Sequence, residues 1–319
     1  MSRDAAPPEI SRDLDRGFIS RNAWAPYVIV MMPMLLWSGA TVLARAIRQD
    51  IPPTGLVLTQ SVVAALMLLP FLLPQLRAQM PLILRHWKLM LVLGVTQMVT
   101  GHGLLYIALH TTTAINAGLI IATQPAVIMV LAWLLLREPI TLRKGAGLLI
   151  ALTGVLAIVT RGEPAALLDL RLVIGDLWMQ LVAISFSLYV VLIKKYAPEG
   201  LNPFVLFLAM IVGAILFLLP VHIGEAIITG TRMTFNWVTI VTVLYMATFS
   251  TILALVCLNV AIAHIGPGRI AIFYYLIPVI TALLAIVLLG EAFHLYHLVA
   301  IVLVLGGVYL SSRSRASRS

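Results

Sequence analysis

The chain has 319 residues, of which 61% are hydrophobic and 10% are charged, and its formal net charge is +9. One soluble core cannot hide this much apolar surface, and the apolar residues come in long blocks, so the composition excludes a soluble globular protein. Because the blocks are continuous and do not alternate with polar residues, they also exclude a transmembrane β-barrel.

The apolar blocks are bounded by arginine, lysine, proline or glycine at regular spacing. A helix needs about 20 residues to cross the hydrocarbon core of a membrane, and ten blocks have roughly this length. The predicted spans are 24–45, 54–73, 87–109, 112–136, 143–160, 173–193, 203–221, 236–262, 268–289 and 293–311. We therefore expect an all-α polytopic membrane protein with ten transmembrane helices.

The positive charges indicate how the chain is oriented. If the N-terminus is cytoplasmic, sixteen of the 21 lysines and arginines lie on the cytoplasmic side, as the positive-inside rule requires. Residues 1–23 lack the apolar stretch of a signal peptide and are expected to be a disordered cytoplasmic segment or a short helix on the membrane surface. Residues 312–319 form a basic tail. Since the cations are spread over short loops and both ends, we expect the lipid bilayer, and no nucleic acid, as a partner.

The second part of the sequence repeats the first. Moving residues 105–157 forward by 153 positions lays them on residues 258–310 without a gap. The match pairs Pro125 with Pro278, Glu138 with Glu291, and Gly154-Val155 with Gly307-Val308. An offset of 150 relates earlier positions, such as Pro53 and Pro203. Self-similarity of this kind in a membrane protein is typical of transporters built from two repeats.

The repeats divide the chain into two halves, 24–160 and 173–311, with five spans each. An odd number of spans means that the second half enters the membrane from the opposite side. Such an inverted repeat places a substrate site between the halves, near the middle of the membrane.

Polar and aromatic residues in the middle of spans are the candidates for this site, because a substrate must exchange some of its water for protein groups. In the first half they are Trp37, Ser38, Gln60, Gln97, His102, Tyr106 and Gln124. In the second half they are Ser185, Tyr189, Tyr245, Ser250, Asn259, Tyr274 and Tyr275. For each of them the alternative role is a hydrogen bond between helices or an interfacial aromatic side chain.

Pro125 and Pro278 each free a backbone carbonyl one turn earlier, at Ile121 and Tyr274. Such a carbonyl either binds substrate or has no role of its own, the proline serving only to bend the helix. We favour the bend, because prolines are common in membrane helices and their loss of a hydrogen bond is usually compensated locally.

Small residues recur in the fifth and tenth spans, at Gly147, Ala151, Gly154, Gly306 and Gly307. They let helix backbones approach closely. We therefore expect these spans to pack tightly against neighbouring helices or against a second copy of the chain.

His102 lies well inside a predicted span, and histidine is the side chain that titrates near neutral pH. A coupling role for it is a hypothesis beside that of an ordinary hydrogen-bonded histidine. Glu291, His294 and His297 recur every three residues at a span end, but only the glutamate has a repeat partner, so no metal site is predicted. The nucleotide-binding and zinc-protease motifs are missing, so we expect no cofactor and no enzyme of those classes.

Several features occur together in the sequence: two five-span halves, the Trp37-Ser38 step in the first span, a proline in the fourth and ninth spans, and a glutamate that closes each of these two. In this combination the chain resembles the EamA family of the drug/metabolite transporter superfamily, over nearly its whole length. Within the superfamily it is most similar to the bacterial exporters of aromatic amino acids.

The resemblance implies a secondary transporter, not an enzyme. It would export aromatic and other apolar or small neutral amino acids, and related metabolites, across the bacterial inner membrane by alternating access, as a monomer or homodimer. The alternatives are an exporter of drugs or sugar-like metabolites with the same fold and, from a different class, an intramembrane enzyme that uses His102. The enzyme is the weaker alternative, because no carboxylate is expected at the depth of His102 to orient a catalytic base.

Overall fold

The structure is a computed structural model that describes residues 24–46, 51–109, 112, 114–168, 173–230, 233–234, 236–289 and 292–312. The predicted N-terminal segment 1–23, most of the basic tail 312–319 and the repeated glutamate Glu291 lie outside the described residues.

All regular elements in this part of the chain are helical. In chain order they are α1 (Ala25–Ala46), α2 (Pro53–Arg85), α3 (87–109), α4 (Ala114–Leu136), α5 (Leu142–Val159), α6 (Ile174–Tyr196), α7 (Pro203–Thr229), α8 (237–265), α9 (267–289) and α10 (Leu295–Ser312). A short 3-10 turn, Pro164–Leu167, follows α5.

Three helices change their hydrogen-bonding pattern along their length. In α3, a π-helical segment separates two α-helical ones, and α8 has the same order at the equivalent place of the second repeat. In α9, a 3-10 segment comes before the proline. The segments are Trp87–Gly94, Val95–Gly103 (π) and Leu104–Leu109 in α3, Trp237–Tyr245, Met246–Leu253 (π) and Ala254–Ile265 in α8, and Pro267–Ile270, Ala271–Tyr275 (3-10) and Leu276–Leu289 in α9. π-Helical turns are rare and are frequent at functional sites.

Within the described ranges, nine helices are long and apolar enough to cross a membrane. They are all of the helices except α3. The expected all-α polytopic membrane fold is therefore confirmed. Residues 87–109 are helical throughout, but α3 is not among the nine, so the count of ten spans stays a prediction, as does the cytoplasmic location of both ends.

Two helices are longer than predicted. Helix α2 continues to Arg85 and α7 to Thr229, whereas we expected them to end at residues 73 and 221. These two ends were predicted wrongly because each span was given about the length that crosses the hydrocarbon core, whereas both helices extend beyond it, and α2 continues through Pro74, at which its span was ended. Membrane helices tolerate internal proline when neighbouring groups satisfy the freed backbone. As a consequence, residues 222–229 belong to α7 and not to a loop.

Helices of one half pack mainly on helices of the other. Helix α1 lies against α8 and α9, and α6 lies against α3 and α4. Likewise, α2 packs along α7 and α5 along α10. A pseudo-two-fold axis relates α1 to α6, α3 to α8 and α4 to α9, so the contacts of α1 and those of α6 are equivalent. The pairs α2–α7 and α5–α10 each consist of two equivalent helices, so the axis maps each of these pairs onto itself.

Helices α2 and α7, which are equivalent in the two repeats, run antiparallel. The Thr54 hydroxyl, at the start of α2, is 3.0 Å from Nδ1 of His222, near the end of α7. At the other end, the Gln79 amide donates to the Gly200 carbonyl, just before α7, at 3.1 Å. Since equivalent helices point in opposite directions, the second repeat is inverted relative to the first.

Helices α5 and α10 show the same inversion and are the most closely packed pair. A Cβ atom built on Gly147 would lie 2.6 Å from the Gly307 carbonyl oxygen, and one on Gly307 would lie 2.4 Å from the Gly147 carbonyl oxygen. Seven residues on, a Cβ on Gly154 would lie 3.0 Å from the Ala300 carbonyl. The expected tight packing is therefore confirmed for Gly147, Gly154 and Gly307, and it takes place between the two repeats of one chain, whereas a Cβ on Gly306 would meet nothing within 4 Å.

Candidate functional site

Aromatic side chains from both halves meet where α1, α6 and α9 cross. The ring of Trp37 lies 5.8 Å from that of Phe186 and 6.0 Å from that of Tyr274, and the last two are 5.5 Å apart. Trp37 and Tyr274 are nearly parallel, at 23°, and Phe186 meets both edge-on. Stacked and edge-to-face arrangements are favourable for aromatic rings. We call these three residues the aromatic cluster.

The cluster contains one residue that we did not predict. Trp37 and Tyr274 were candidates, but Phe186 was not. Phe186 precedes Ser187 as Trp37 precedes Ser38, so the two rings occupy equivalent positions of the two repeats and face each other across the pseudo-two-fold axis. This relation was the signal in the sequence that pointed to Phe186.

The two serines also occupy equivalent positions, and each hydroxyl lies within hydrogen-bonding distance of two carbonyls. One carbonyl belongs to the same helix, four residues earlier, which is a common partner for a helical serine. The other belongs to the other half and directly precedes Pro125 or Pro278. The distances are 2.7 Å to Met34 and 3.1 Å to Ile277 for Ser38, and 2.6 Å to Ala183 and 3.4 Å to Gln124 for Ser187.

The carbonyls near the prolines therefore join the two halves. The Tyr275 hydroxyl adds a third such bond, to the Ala122 carbonyl at 2.9 Å. Ala122 directly follows Ile121, whose carbonyl Pro125 frees, whereas Gln124 and Ile277 directly precede the two prolines. Helix α4 remains α-helical through Pro125, whereas α9 changes from 3-10 to α shortly before Pro278. The predicted bends at both prolines stay predictions.

Further predicted site residues form hydrogen bonds that join α8 to α1 and to α6. The Trp37 indole donates to the Ser250 carbonyl at 2.9 Å, and the Tyr245 hydroxyl to the Leu36 carbonyl at 3.2 Å. The fully buried Tyr189 donates to the Asn259 amide oxygen at 2.8 Å. Most of the predicted residues are thus brought together at the centre, and most of their polar atoms are engaged in holding helices together.

Two predicted residues keep buried polar groups without a partner in the described part of the chain. Gln97 is completely buried on the π-helical segment of α3, and neither atom of its amide is hydrogen-bonded. The Tyr274 hydroxyl is also buried and unpaired. The segment that carries Gln97 packs on α6, where a Cβ on Gly101 would be 3.6 Å from the Phe186 ring. An unpaired buried amide costs roughly 2–7 kcal/mol, so these groups are candidates for binding a ligand.

The remaining predicted residues are less directly placed. Gln60 is buried on α2 and Ser185 on α6, and no hydrogen bond in the described part of the chain ties either to the cluster. The backbone carbonyl of Gln124 accepts from Ser187, as above, and its side chain is buried. Nδ1 of His102 is 2.8 Å from the Gln97 carbonyl of its own helix. The side chain of Tyr106 lies outside the described residues.

Comparison with known proteins gives the family. A model of the EamA-like transporter family matches residues 24–160 and again residues 173–313. The chain belongs to this family. It is therefore a multi-pass membrane transporter, as the similar proteins also indicate.

Relatives of this EamA-like transporter occur in archaea and bacteria. An "Uncharacterized transporter" of Archaeoglobus fulgidus is 25% identical over 290 residues, which cover 90% of this chain and 96% of the relative. One of Clostridium kluyveri is 23% identical and covers 91% of this chain and 94% of the relative. "Uncharacterized transporter YyaM" of Bacillus subtilis is 25% identical over 223 residues, 70% of this chain and 72% of the relative.

A solved structure shares the fold of the EamA-like transporter. The crystal structure of another protein aligns with a TM-score of 0.71 over 90% of this chain and 96% of the other, at 20% sequence identity. At this identity the likeness bears on the fold alone.

In this EamA-like transporter, polar contacts at symmetry-related positions join helix ends on the two sides of the aromatic cluster. The offset of 149 that relates Trp37 to Phe186 also relates Tyr27 to Asp176, and the offset of 153 relates Asn116 to Arg269. At one end, the Asn116 amide donates to the Asp176 carboxylate at 2.8 Å. At the other, the Arg269 guanidinium donates to the Tyr27 hydroxyl at 3.4 Å. Two equivalent helix pairs, α4–α6 and α1–α9, are thus linked at opposite ends of the molecule by different chemistry.

Glu138, the described member of the repeated glutamate pair, lies against the start of α9. Its carboxylate accepts from the Gly268 backbone N–H at 3.1 Å. A Cβ on Gly266 or on Gly268 would come within 2.6 Å of the carboxylate, and Gly266 has a φ of 77°, which favours glycine. The glutamate after α4 therefore joins the first repeat to the second.

An open groove of 1140 Å³ lies beside the end of α5 and the start of α10. Its lining includes Arg161, His294, Tyr296 and His297 and none of the predicted substrate residues. Nδ1 of His297 accepts the backbone N–H of His294 at 2.9 Å, so this ring nitrogen caps the start of α10. The groove and the aromatic cluster are different sites.

Proposed function

We propose that this protein is a secondary transporter that exports aromatic and other apolar or small neutral amino acids across the bacterial inner membrane. The observation that carries the proposal is the buried aromatic cluster at the junction of the two halves, together with the unpaired polar groups of Gln97 and Tyr274. Such a combination suits a small ligand with an apolar ring and a polar head.

Each part of an amino acid has a complementary group at this site. The faces of Trp37 and Tyr274 favour an aromatic or aliphatic side chain, and they also attract an ammonium group. The Gln97 amide has donors for a carboxylate and an acceptor for an ammonium. The aromatic cluster contains no formal charge, so a zwitterion of zero net charge is favoured over a ligand of net charge, whose burial costs more.

The links between helix ends support alternating access. Opening a path to the cluster on one side requires separation of Asn116 from Asp176, and opening it on the other requires separation of Tyr27 from Arg269. If only one link is broken at a time, the substrate meets one side of the membrane at a time, as expected for inverted repeats.

The flat aromatic faces would also suit a planar drug, which makes drug export the alternative within the same fold. An intramembrane enzyme is less favoured, because Nδ1 of His102 already faces the carbonyl of Gln97. One experiment on purified protein compares the transport alternatives.

The protein reconstituted in liposomes should exchange labelled phenylalanine, tryptophan or methionine for the same unlabelled amino acid. We expect Gln97→Leu to lower this exchange by roughly 10- to 100-fold, the equivalent of one or two hydrogen bonds to a charged group. It should also raise the stability of the substrate-free protein by about 1 kcal/mol, because an unpaired amide is removed. Met98→Leu, a volume-conserving change at the next residue, is the control.

Two results would contradict the proposal. Exchange of a drug or a sugar without exchange of any amino acid would overturn the substrate class. Wild-type exchange by the Gln97→Leu protein would overturn the assignment of Gln97 to the substrate site.

A further inference from the structure

Gln97 and His102 lie on the π-helical segment of α3, and a hydrogen bond joins them. Nδ1 of the His102 ring is 2.8 Å from the Gln97 carbonyl, five residues earlier. A carbonyl oxygen only accepts hydrogen bonds, so the proton of the neutral imidazole lies on Nδ1, and Nε2 is the acceptor nitrogen. The two ring nitrogens therefore differ in chemistry, and the carbonyl engages one of them.

This contact depends on the π-helical spacing of the segment. In a π-helix the carbonyl of a residue faces the residue five positions later, whereas in an α-helix it faces the residue four positions later. The His102 ring reaches the Gln97 carbonyl because Val95–Gly103 is π-helical. The bond in turn favours this spacing, so loss of the ring N–H would release the turn.

Two neighbouring residues are adapted to the same turn. The Thr100 hydroxyl lies 3.1 Å from the Val95 carbonyl, which is also five residues earlier. A Cβ on Gly101 would lie 3.0 Å from the Thr96 carbonyl oxygen, so the backbone leaves little room for a side chain there. The residues after Gln97 are thus arranged around one π-helical turn.

The turn determines where the Gln97 side chain lies. Gln97 is completely buried, and neither atom of its amide has a partner in the described part of the chain. Its position therefore depends on the backbone that carries it and not on hydrogen bonds of its own. An unpaired buried amide is costly, so on a released turn this amide would move toward another polar group.

The second repeat binds the equivalent carbonyl from another helix. The offset of 153 places Ser250 at the position of Gln97, and the Ser250 carbonyl accepts the Trp37 indole N–H at 2.9 Å. Phe186, which is equivalent to Trp37, lies on α6 beside the α3 segment but has no N–H to donate. In α3 the ring N–H therefore comes from His102, within the segment itself.

We infer that His102 is a positioning residue, whose Nδ1–H holds the π-helical turn that keeps the Gln97 amide unpaired and available to the substrate. His102 then acts through Gln97 and does not itself bind substrate. This role rests on the proposed function, in which Gln97 binds the polar head of an amino acid. The bond between ring and carbonyl does not depend on which substrate is transported.

Three substitutions of His102 separate the two nitrogens of the ring. Asparagine places its side-chain N–H where histidine has Nδ1, so His102→Asn keeps a donor for the Gln97 carbonyl. Glutamine places its nitrogen near the position of Nε2, so His102→Gln keeps a polar group at that end and loses the bond. His102→Leu removes both groups and keeps an apolar side chain.

Phenylalanine exchange in liposomes tests the role of His102. We expect His102→Leu and His102→Gln to raise the substrate concentration for half-maximal exchange by roughly 10-fold, the equivalent of one hydrogen bond, with an unchanged maximal rate. His102→Asn should retain the behaviour of the wild type. In a protein that already carries Gln97→Leu, His102→Leu should have no further effect, because residues that act through one another are not additive.

Three results of the exchange measurements would overturn the positioning role. Wild-type exchange by His102→Leu would show that the ring is dispensable. Wild-type exchange by His102→Gln with impaired exchange by His102→Asn would show that Nε2 contacts the substrate. An equal effect of His102→Leu with and without Gln97→Leu would show that the two residues act independently.

Thermal unfolding of the full chain in lipid nanodiscs tests the same coupling without substrate. Gln97→Leu should raise the unfolding temperature, because it removes an unpaired amide, and should raise it less in the His102→Leu background, where the amide can find a partner. His264→Leu is the matched control, since Nδ1 of His264 is 2.7 Å from the Val260 carbonyl on an α-helical segment. It should not change the effect of Gln97→Leu.

The unfolding measurement separates this inference from the proposed function. If His102→Leu reduces the effect of Gln97→Leu but no protein exchanges any amino acid, His102 positions Gln97 and the proposed substrate class fails. If Gln97→Leu has the same effect on unfolding in both backgrounds, His102 does not position Gln97, whatever the exchange measurements show.

Discussion

Tyr274 and Tyr275 are neighbours in the sequence with different roles in the structure. The Tyr275 hydroxyl donates to the Ala122 carbonyl and joins α9 to α4. The Tyr274 ring stacks on Trp37, while its hydroxyl is buried without a partner in the described residues. Both were predicted site residues, but the hydroxyl of Tyr275 is engaged between helices, whereas that of Tyr274 is left for the substrate under the proposed function.

This difference predicts opposite effects of removing each hydroxyl. Tyr275→Phe should lower the free energy of unfolding by about 1 kcal/mol, the usual net contribution of a hydrogen bond. Tyr274→Phe should leave stability unchanged or slightly higher but weaken amino-acid exchange. Each variant is the control for the other, with thermal unfolding and exchange measured on both. A loss of stability in Tyr274→Phe equal to that in Tyr275→Phe would contradict the assignment.

Single residues show how far the sequence alone could go. Position in a span and polarity were enough to nominate Trp37, Ser38 and Tyr274, because these properties are local. They were not enough to separate an engaged group from an unpaired one, because the acceptor of Ser38 on another helix is the carbonyl of Ile277, 239 residues away. Only the packing of α1 on α9 brings these groups together.

At the scale of helices, the α5–α10 interface has two adjacent glycines in different environments. A Cβ on Gly307 would meet the Gly147 carbonyl at 2.4 Å and Ala151 at 2.8 Å, whereas one on Gly306 would meet nothing within 4 Å. Both glycines fit the small-residue pattern in the sequence. Which one lies in the contact depends on the rotation of α10 about its axis, and packing determines that rotation.

Gly307→Ala should destabilise the protein by about 1–3 kcal/mol, because an added methyl group forces two backbones apart. Gly306→Ala, one residue earlier, should be neutral or stabilising by up to about 1 kcal/mol, since alanine is the better helix former. Thermal unfolding of both variants in the same lipid tests this pair. Equal stability of the two would show that α5 and α10 are not in backbone contact.

At the scale of the whole molecule, each half of the EamA-like transporter supplies partners that the other half lacks. Ser38 and Trp37 of α1 bond to carbonyls of α9 and α8, and Ser187 of α6 bonds to a carbonyl of α4. Within a membrane, polar groups without a partner are costly, since lipid tails offer no hydrogen bonds. Two sequence repeats therefore do not make two independent folding units.

Expressed separately, residues 1–168 and 169–319 should each be degraded or aggregate. Co-expressed, they should assemble into a complex that one affinity tag recovers intact and that exchanges amino acids in liposomes. Protease resistance and recovery of the untagged half measure assembly. Stable accumulation of either half alone, with native-like protease resistance, would contradict the interlocked arrangement.

Length and hydropathy of the blocks, the duplicated proline and glutamate, and the odd number of predicted spans per half were enough to indicate an all-α membrane protein with inverted repeats. These are local or periodic properties that the amino-acid order records directly. The tertiary structure decided that Phe186 completes the aromatic cluster, that Gln97 and Tyr274 keep unpaired polar groups, and that Thr54 meets His222. The physical reason is that these contacts join residues far apart in the chain, and their distances follow from how the two halves pack, which no single segment encodes.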